Sequence, residues 1–240
     1  MANEHYKTLL SLRTMIRDSV DEDTASFWTD AQLNRYINKS KDRVWSRIRE
    51  LKDDYFDVVR SSTDGALTIL GESYNASSFK IVAGTTDYTL PPDFVEMRLI
   101  EVITSGYEWV RFTFKRMNDR AFRDWRAITD NMTPDEFLFT LFKEPPAMSV
   151  VPKSDTALDL RITYVQVIPD LSSDTDRLTL PHPLYLAVVD YATASALKQD
   201  RSPDAAAHEA SGDKIIAEAF GASDRQTQDV QTAAGYLESE

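Results

Sequence analysis

Residues 158–198 place two different hydrophobic periods back to back, and any fold must satisfy both. Leu158, Leu160, Ile162 and Tyr164 alternate with Asp159, Arg161 and Thr163. A period of two marks a half-buried strand. A polar link follows from Pro169 to Asp176, and then the rigid lead-in Leu178-Thr-Leu-Pro-His-Pro. Behind it, Leu184 to Leu197 is apolar almost all round, which describes a helix that other elements must cover on several sides. Pro183 suits an early position of that helix. Asp190 stands alone among Val188, Val189, Tyr191 and Ala192. A buried carboxylate needs a partner, and one within the fold, such as an arginine from the long helix, is expected ahead of any active-site role.

The rest of the chain supplies candidates for that cover. Tyr6, Leu9, Leu12, Ile16 and Val20 recur at helical spacing. After the polar break at residues 21–25, Thr29 and Gln32 form a capping-box pattern, with Trp28 and Leu33 placed as a hydrophobic staple. Leu33, Ile37, Val44, Ile48, Leu51 and Tyr55 then hold one face of a long helix, with no Gly or Pro before Gly65. From Ser61 to Phe142 the pattern turns to strands. A hairpin is expected at 78–90 with Gly84 in its turn. Further strands, joined near Gly106, are expected at 97–103 and 109–114, and a short helix at 117–128 capped by Asn118. Residues 137–142 and 148–151 are expected to complete a sheet with the Leu158 strand. Ser202 and Pro203 read as the cap and first position of a last helix ending at Gly221. The tail 222–240 is polar and acidic, and alone it should not order.

This order of elements predicts an α+β fold: N- and C-terminal helices forming a helical bundle with a β-rich central insertion. Strands contiguous in sequence do not alternate with helices, so a doubly wound sheet is excluded. The corresponding regions are 1–62 and 170–221 for the bundle, 63–169 for the β-rich middle, and 222–240 for the tail.

Charge and composition narrow the function. There are 39 acids against 27 Lys and Arg, giving a formal net charge of -12, which argues against a dedicated nucleic-acid binder. The excess is C-terminal: from residue 170 onward there are 13 acids and 5 bases. With no cysteine, disulfides and thiolate metal sites are excluded. His5, His182 and His208 show no metal-ligand spacing, and the seven glycines form no phosphate loop or nucleophile elbow. No apolar run is long enough to span a bilayer. The expectation is a soluble protein made in a cytoplasm without a signal peptide, not an enzyme, and without cofactor or metal.

Two groups of residues stand out as contact candidates. Arg35, Lys39, Arg43 and Arg47 follow at four-residue steps, where like charges repel by about a few tenths of a kcal/mol per pair. Such a row is either a solvated face or a contact with an acidic surface, a neighbouring copy among the possibilities. Arg111, Lys115, Arg116, Arg120, Arg123 and Arg126 interleave with Trp109, Phe112, Phe114, Phe122 and Trp125. Aromatic and basic side chains together can hold single strands, but arginine at a subunit contact is equally natural. Subunit contact through Arg116, Arg120, Arg123 and Trp125 is the first reading, a solvated surface the second and nucleic acid the third.

Several pieces occur in an order that resembles the head–tail adaptor (connector) proteins of tailed bacteriophages. They are Phe27-Trp-Thr-Asp-Ala-Gln-Leu-Asn-Arg-Tyr-Ile-Asn38, Tyr88-Thr-Leu-Pro-Pro-Asp-Phe94, Val151-Pro152 before the Leu158 strand, and Leu178-x-Leu-Pro181 before Ala187-Val-Val-Asp-Tyr-Ala192. The resemblance extends to about Lys198. It implies a virion protein at the head–tail junction: a ring, commonly of twelve copies, docked under the portal. Its partners would then be the portal protein, downstream tail or stopper proteins, and further copies of itself, with transient contact to genomic DNA in the channel and none to a membrane. A tail that orders only on binding the portal, with Tyr236 and Leu237 as its apolar contacts, also follows from the resemblance. Another tail-junction component, a stopper or tail-completion protein, is the alternative; a nucleic-acid accessory factor is a more distant one.

Overall fold

The computed structural model describes residues 6–22, 27–103, 113–117, 136–154 and 157–237, with the backbone alone for 113, 136, 143 and 222–237. The chain divides into two compact units. One joins residues 1–55 to 170–240, and the other is 56–169. The fold is α+β, with helices at both ends of the chain and a β-rich middle.

The first unit is helical. Helix α1 is Leu9–Ser19 and buries Leu9, Leu12 and Ile16. Helix α2 is Asp30–Leu51 and buries Leu33, Ile37, Val44 and Ile48. Its start follows the expected pattern. The Thr29 hydroxyl accepts from Gln32 N at 3.3 Å, and the Gln32 side-chain oxygen accepts from Thr29 N at 2.9 Å. Trp28 and Leu33 are both buried beside this cap. Replacing Thr29 by alanine is expected to cost about 1 kcal/mol, read as a lower thermal midpoint. The helix stops at Leu51, short of Tyr55, because the chain turns toward a strand at Asp57.

Helix α3 is Leu184–Gln199 and buries residues around nearly its whole circumference, among them Leu184, Ala187, Val188, Tyr191, Ala192 and Ala196. It packs against α1, α2 and helix α4, Ala205–Leu237. Pro183 caps its N-terminus. Two readings of α4 are corrected. It begins at Ala205, after a turn in which Asp204 N donates to the Ser202 hydroxyl at 3.3 Å. It also continues through Gly221 to Leu237, so 222–237 is helical backbone, not an extended tail. Gly221 lies inside the helix without the left-handed φ of a helix-ending glycine, and no proline follows to break it.

Among the described residues, the second unit holds three sheets. Strands β1 (Asp57–Ser61), β9 (Asp159–Gln166) and β5 (Phe94–Ile103) form an antiparallel sheet in the order β1-β9-β5. Strands β2 (Ala66–Ile69) and β3 (Glu72–Asn75) make a hairpin. The third sheet runs β4 (Asp87–Thr89), β8 (Pro146–Val151), β7 (Glu136–Lys143) and β6 (Thr113–Arg116), with β6 parallel to β7. Their inward residues meet in one cluster: Ile100 and Val102, Leu160, Ile162 and Tyr164, Tyr88, Met148 and Val150, Phe137 and Phe139, with Ile69, Tyr74 and Phe79 beneath the hairpin.

Three expected pairings are corrected. Residues 78–90 form no hairpin: Gly84 does turn at φ 74, but Ile81 bridges to Leu158 and β4 pairs with β8. Strand β5 pairs with β9, while β6 lies in a different sheet. Strands β7 and β8 pair with each other and do not join β9. In the first two cases the long-range apolar match outweighs closeness in sequence; in the third, the two-residue turn at 144–145 pairs β7 with its neighbour β8. Residues 109–112 of the next expected strand and 118–128 of the expected short helix lie outside the described residues; Met117 itself is not helical.

Candidate contact surfaces

The Arg35–Arg47 row does not stay on one face. Each four-residue step advances about 40° round a helix, so the row winds round α2 while all four side chains stay exposed. Arg35 and Lys39 are exposed and have no ion-pair partner among the described residues. Arg43 reaches α4 and pairs with Glu209 at 2.7 Å, and its guanidinium lies 4.0 Å from the centre of the Tyr191 ring. Arg47 turns back to Glu50 at 2.6 Å.

Beside Arg43, α2, α3 and α4 share a polar seam. Lys198 also reaches Glu209, at 2.8 Å, and these two bonds hold the Glu209 carboxyl below its usual range. The Tyr191 hydroxyl donates to Asp213 at 2.7 Å; burial, then that bond, push the phenol up. Gly212 sits under the Tyr191 ring. The expected arginine partner of Asp190 is corrected here. Its carboxylate accepts from the Ser211 hydroxyl at 2.7 Å and lies 2.9 Å from His208 Nδ1. The reason is connectivity: the short turn after Gln199 makes α4 the antiparallel neighbour of α3, so α4 supplies the partners.

The polar link 170–176 is fastened to the N-terminal helices. Asn38 holds both backbone groups of Leu171, donating to its oxygen at 3.0 Å and accepting from its nitrogen at 2.9 Å. Lys41, fully buried, pairs with Asp170 at 2.5 Å and with Asp42 at 3.2 Å. Leu9 N donates to Asp176 O at 2.9 Å, and Leu178 N to Lys7 O at 2.9 Å. Sequence reading missed Lys41. A lysine one step after Ser40, on the stripe side of α2, was the available signal.

At the other end of this link lies a charged corner. Arg13, buried, pairs with Asp174 and, at 3.0 Å, with Asp30. Arg17 pairs with Glu22 at 2.8 Å and Asp30 at 2.7 Å, and donates to Trp28 O at 3.0 Å. Leu10 and Phe27 flank the corner and are 52% and 56% exposed. The Phe27 ring stands edge-on to Trp28 with centroids 4.6 Å apart. Two buried donors here, Arg13 Nε and Trp28 Nε1, have no acceptor among the described residues.

Of the second contact group, Arg116 is exposed on the edge strand β6. Arg120, Arg123 and Trp125 lie outside the described residues, so the structure does not bring that group together. Tyr236 and Leu237 lie in the last turn of α4, with their side chains outside the description. Among the described residues, no helix is long and apolar enough to cross a membrane.

A helical bundle drawn from both chain ends, a β-rich insertion and charged faces left open to solvent describe a protein distinguished by its contact surfaces. The chain belongs to the SU10 adaptor protein family, a phage head–tail adaptor family, which it matches over residues 7–235. It is therefore a bacteriophage adaptor and a virion component. Comparison with curated proteins gives no match.

Proposed function

We propose that this protein is a ring-forming head-to-tail adaptor that docks on the portal, links the DNA-filled capsid to the tail and forms part of the DNA channel. Its role is structural, not catalytic. The observation that carries this reading is the family match, which runs through both compact units and not through one alone. The net charge of -12 supports it. Tight DNA binding comes from neutralising phosphates, and a predominantly acidic protein lets DNA slide past without holding it. Its partners are the portal, the downstream tail or stopper proteins and further copies of itself. The test is to mix purified protein with portal particles, weigh the product by native mass spectrometry and image it. The expected product is a ring coaxial with the portal. Absence of portal binding, together with absence from virions, overturns the reading.

A further inference from the structure

The bundle has two open faces that complement each other and cannot meet within one chain. The first is the corner at the start of α2. Its outward carboxylates are Asp30 and Asp174, each more than half exposed, anchored from below by buried Arg13 and partly buried Arg17. Leu10, whose backbone N–H donates to Asp174 O at 3.3 Å, and Phe27 add exposed apolar surface on either side.

The second face is the solvent side of α2, where Arg35 and Lys39 are exposed without partners among the described residues. They follow Asp30 by five and nine residues. That places them about 140° and about 180° round the helix from it, but only about 8 and about 14 Å further along. The two faces therefore lie at nearly the same level on different sides of one helix. That is the geometry of a heterologous contact, which repeats from copy to copy and can close into a ring.

We infer that the Asp30/Asp174 corner, with Leu10 and Phe27, docks on the Arg35/Lys39 face of a second copy of this chain. The inference rests on the ring-forming reading above and supplies its subunit interface. Like charges meet if either face is turned on itself, so the contact selects head-to-side packing over a two-fold dimer. The acidic side chains are already oriented by Arg13 and Arg17, so less side-chain freedom is lost on docking.

The test uses the full chain and two double variants, each altering only exposed side chains. R35E/K39E spoils the basic face; L10E/F27Q spoils the corner. Each should keep the wild-type circular dichroism spectrum, and R35Q/K39Q replaces the first if it does not. Each alone should raise the concentration needed for rings by on the order of tenfold or more. An equimolar mixture of the two should yield one-to-one pairs, because each variant retains the face that the other lacks. Added salt should weaken wild-type rings. If wild type forms no ring with or without portal, the ring reading fails and this interface with it. If wild type forms rings and both variants do so equally well, this interface alone is overturned. Variants that fail singly and give no pairs when mixed also overturn it.

Discussion

Tyr164→Phe is expected to destabilise the protein by about 2–3 kcal/mol at neutral pH, the largest effect of any single-oxygen deletion considered. Tyr164 is fully buried on β9, and its hydroxyl donates to Asp93 at 2.8 Å. Asp93 is itself buried just before β5. Burial raises the Asp93 carboxyl above its usual range, while the Tyr164 bond and the Arg60 charge pull it back down. Phenylalanine keeps the ring packed against Phe94, 5.5 Å away, and removes only the hydroxyl, which also bonds Arg60. The carboxylate then loses its strongest compensation in a place it cannot leave.

The pH dependence has a definite sign. A carboxyl with a raised folded-state pKa binds its proton more tightly folded than unfolded. Its charged form therefore weakens the fold, fully so above the folded pKa, and that penalty fades as pH falls through the folded pKa toward the unfolded value. Removing the Tyr164 donor raises the Asp93 pKa further. The difference between wild type and Tyr164→Phe should thus be greatest at neutral pH and shrink on acidification. Urea unfolding at about pH 7 and about pH 5 measures it. Asp93→Asn keeps an acceptor for Tyr164 and removes the charge, so it should cost less than Tyr164→Phe and flatten the acid limb. A penalty for Tyr164→Phe that grows toward low pH would show that the carboxylate is not the group being served.

What was legible in the sequence was local. The Thr29–Gln32 box, the α2 stripe and the all-round burial of α3 depend on residues within a few turns of each other, and the structure contains all three. What was not legible depended on pairing. Gly84 announced a turn correctly, but nothing near it indicated that Ile81 would bridge to Leu158 or that Tyr88 would lie opposite Met148. The β2–β3 hairpin escaped notice for a chemical reason. Its turn residues Leu70 and Gly71 both take positive φ, 54 and 79. The usual signal is Asn-Gly or Asp-Gly, and a leucine in that first position hides it. For the contact surfaces, the spacing of Arg35, Lys39, Arg43 and Arg47 was visible, but its winding decides their fates. A four-residue row drifts across the helix, so its first half meets no ion-pair partner among the described residues and Arg43, also exposed, is drawn onto Tyr191 and Glu209. Arg13 and Arg17 gave no warning, because their acids lie outside α1, at Glu22, Asp30 and Asp174.

Gly212→Ala should lower stability by up to about 2 kcal/mol, although helix propensity alone predicts a gain of about 1 kcal/mol. Gly212 lies mid-helix in α4, where a glycine is ordinarily a weakness. An added Cβ would stand 2.9 Å from Tyr191 Cε1 and 3.1 Å from both Cδ1 and Cζ. Relief requires the ring to move, and it is held on two sides. Its hydroxyl is bonded to Asp213 and its face is covered by the Arg43 guanidinium. Overpacking a fixed site costs about 1–3 kcal/mol, which outweighs the propensity term. The decisive measurement is a double-mutant cycle by thermal denaturation. In a Tyr191→Leu background the clash is gone and only propensity remains, so the same Gly212→Ala change should become stabilising by about 1 kcal/mol. A gain of that size in the wild-type background as well would mean that the ring gives way freely. The Arg43–Tyr191–Asp213 seam would then be too loose to fix α4 against α2, and a ring interface built on the outer face of α2 would have to draw its rigidity from the link at Asn38 and Lys41 instead.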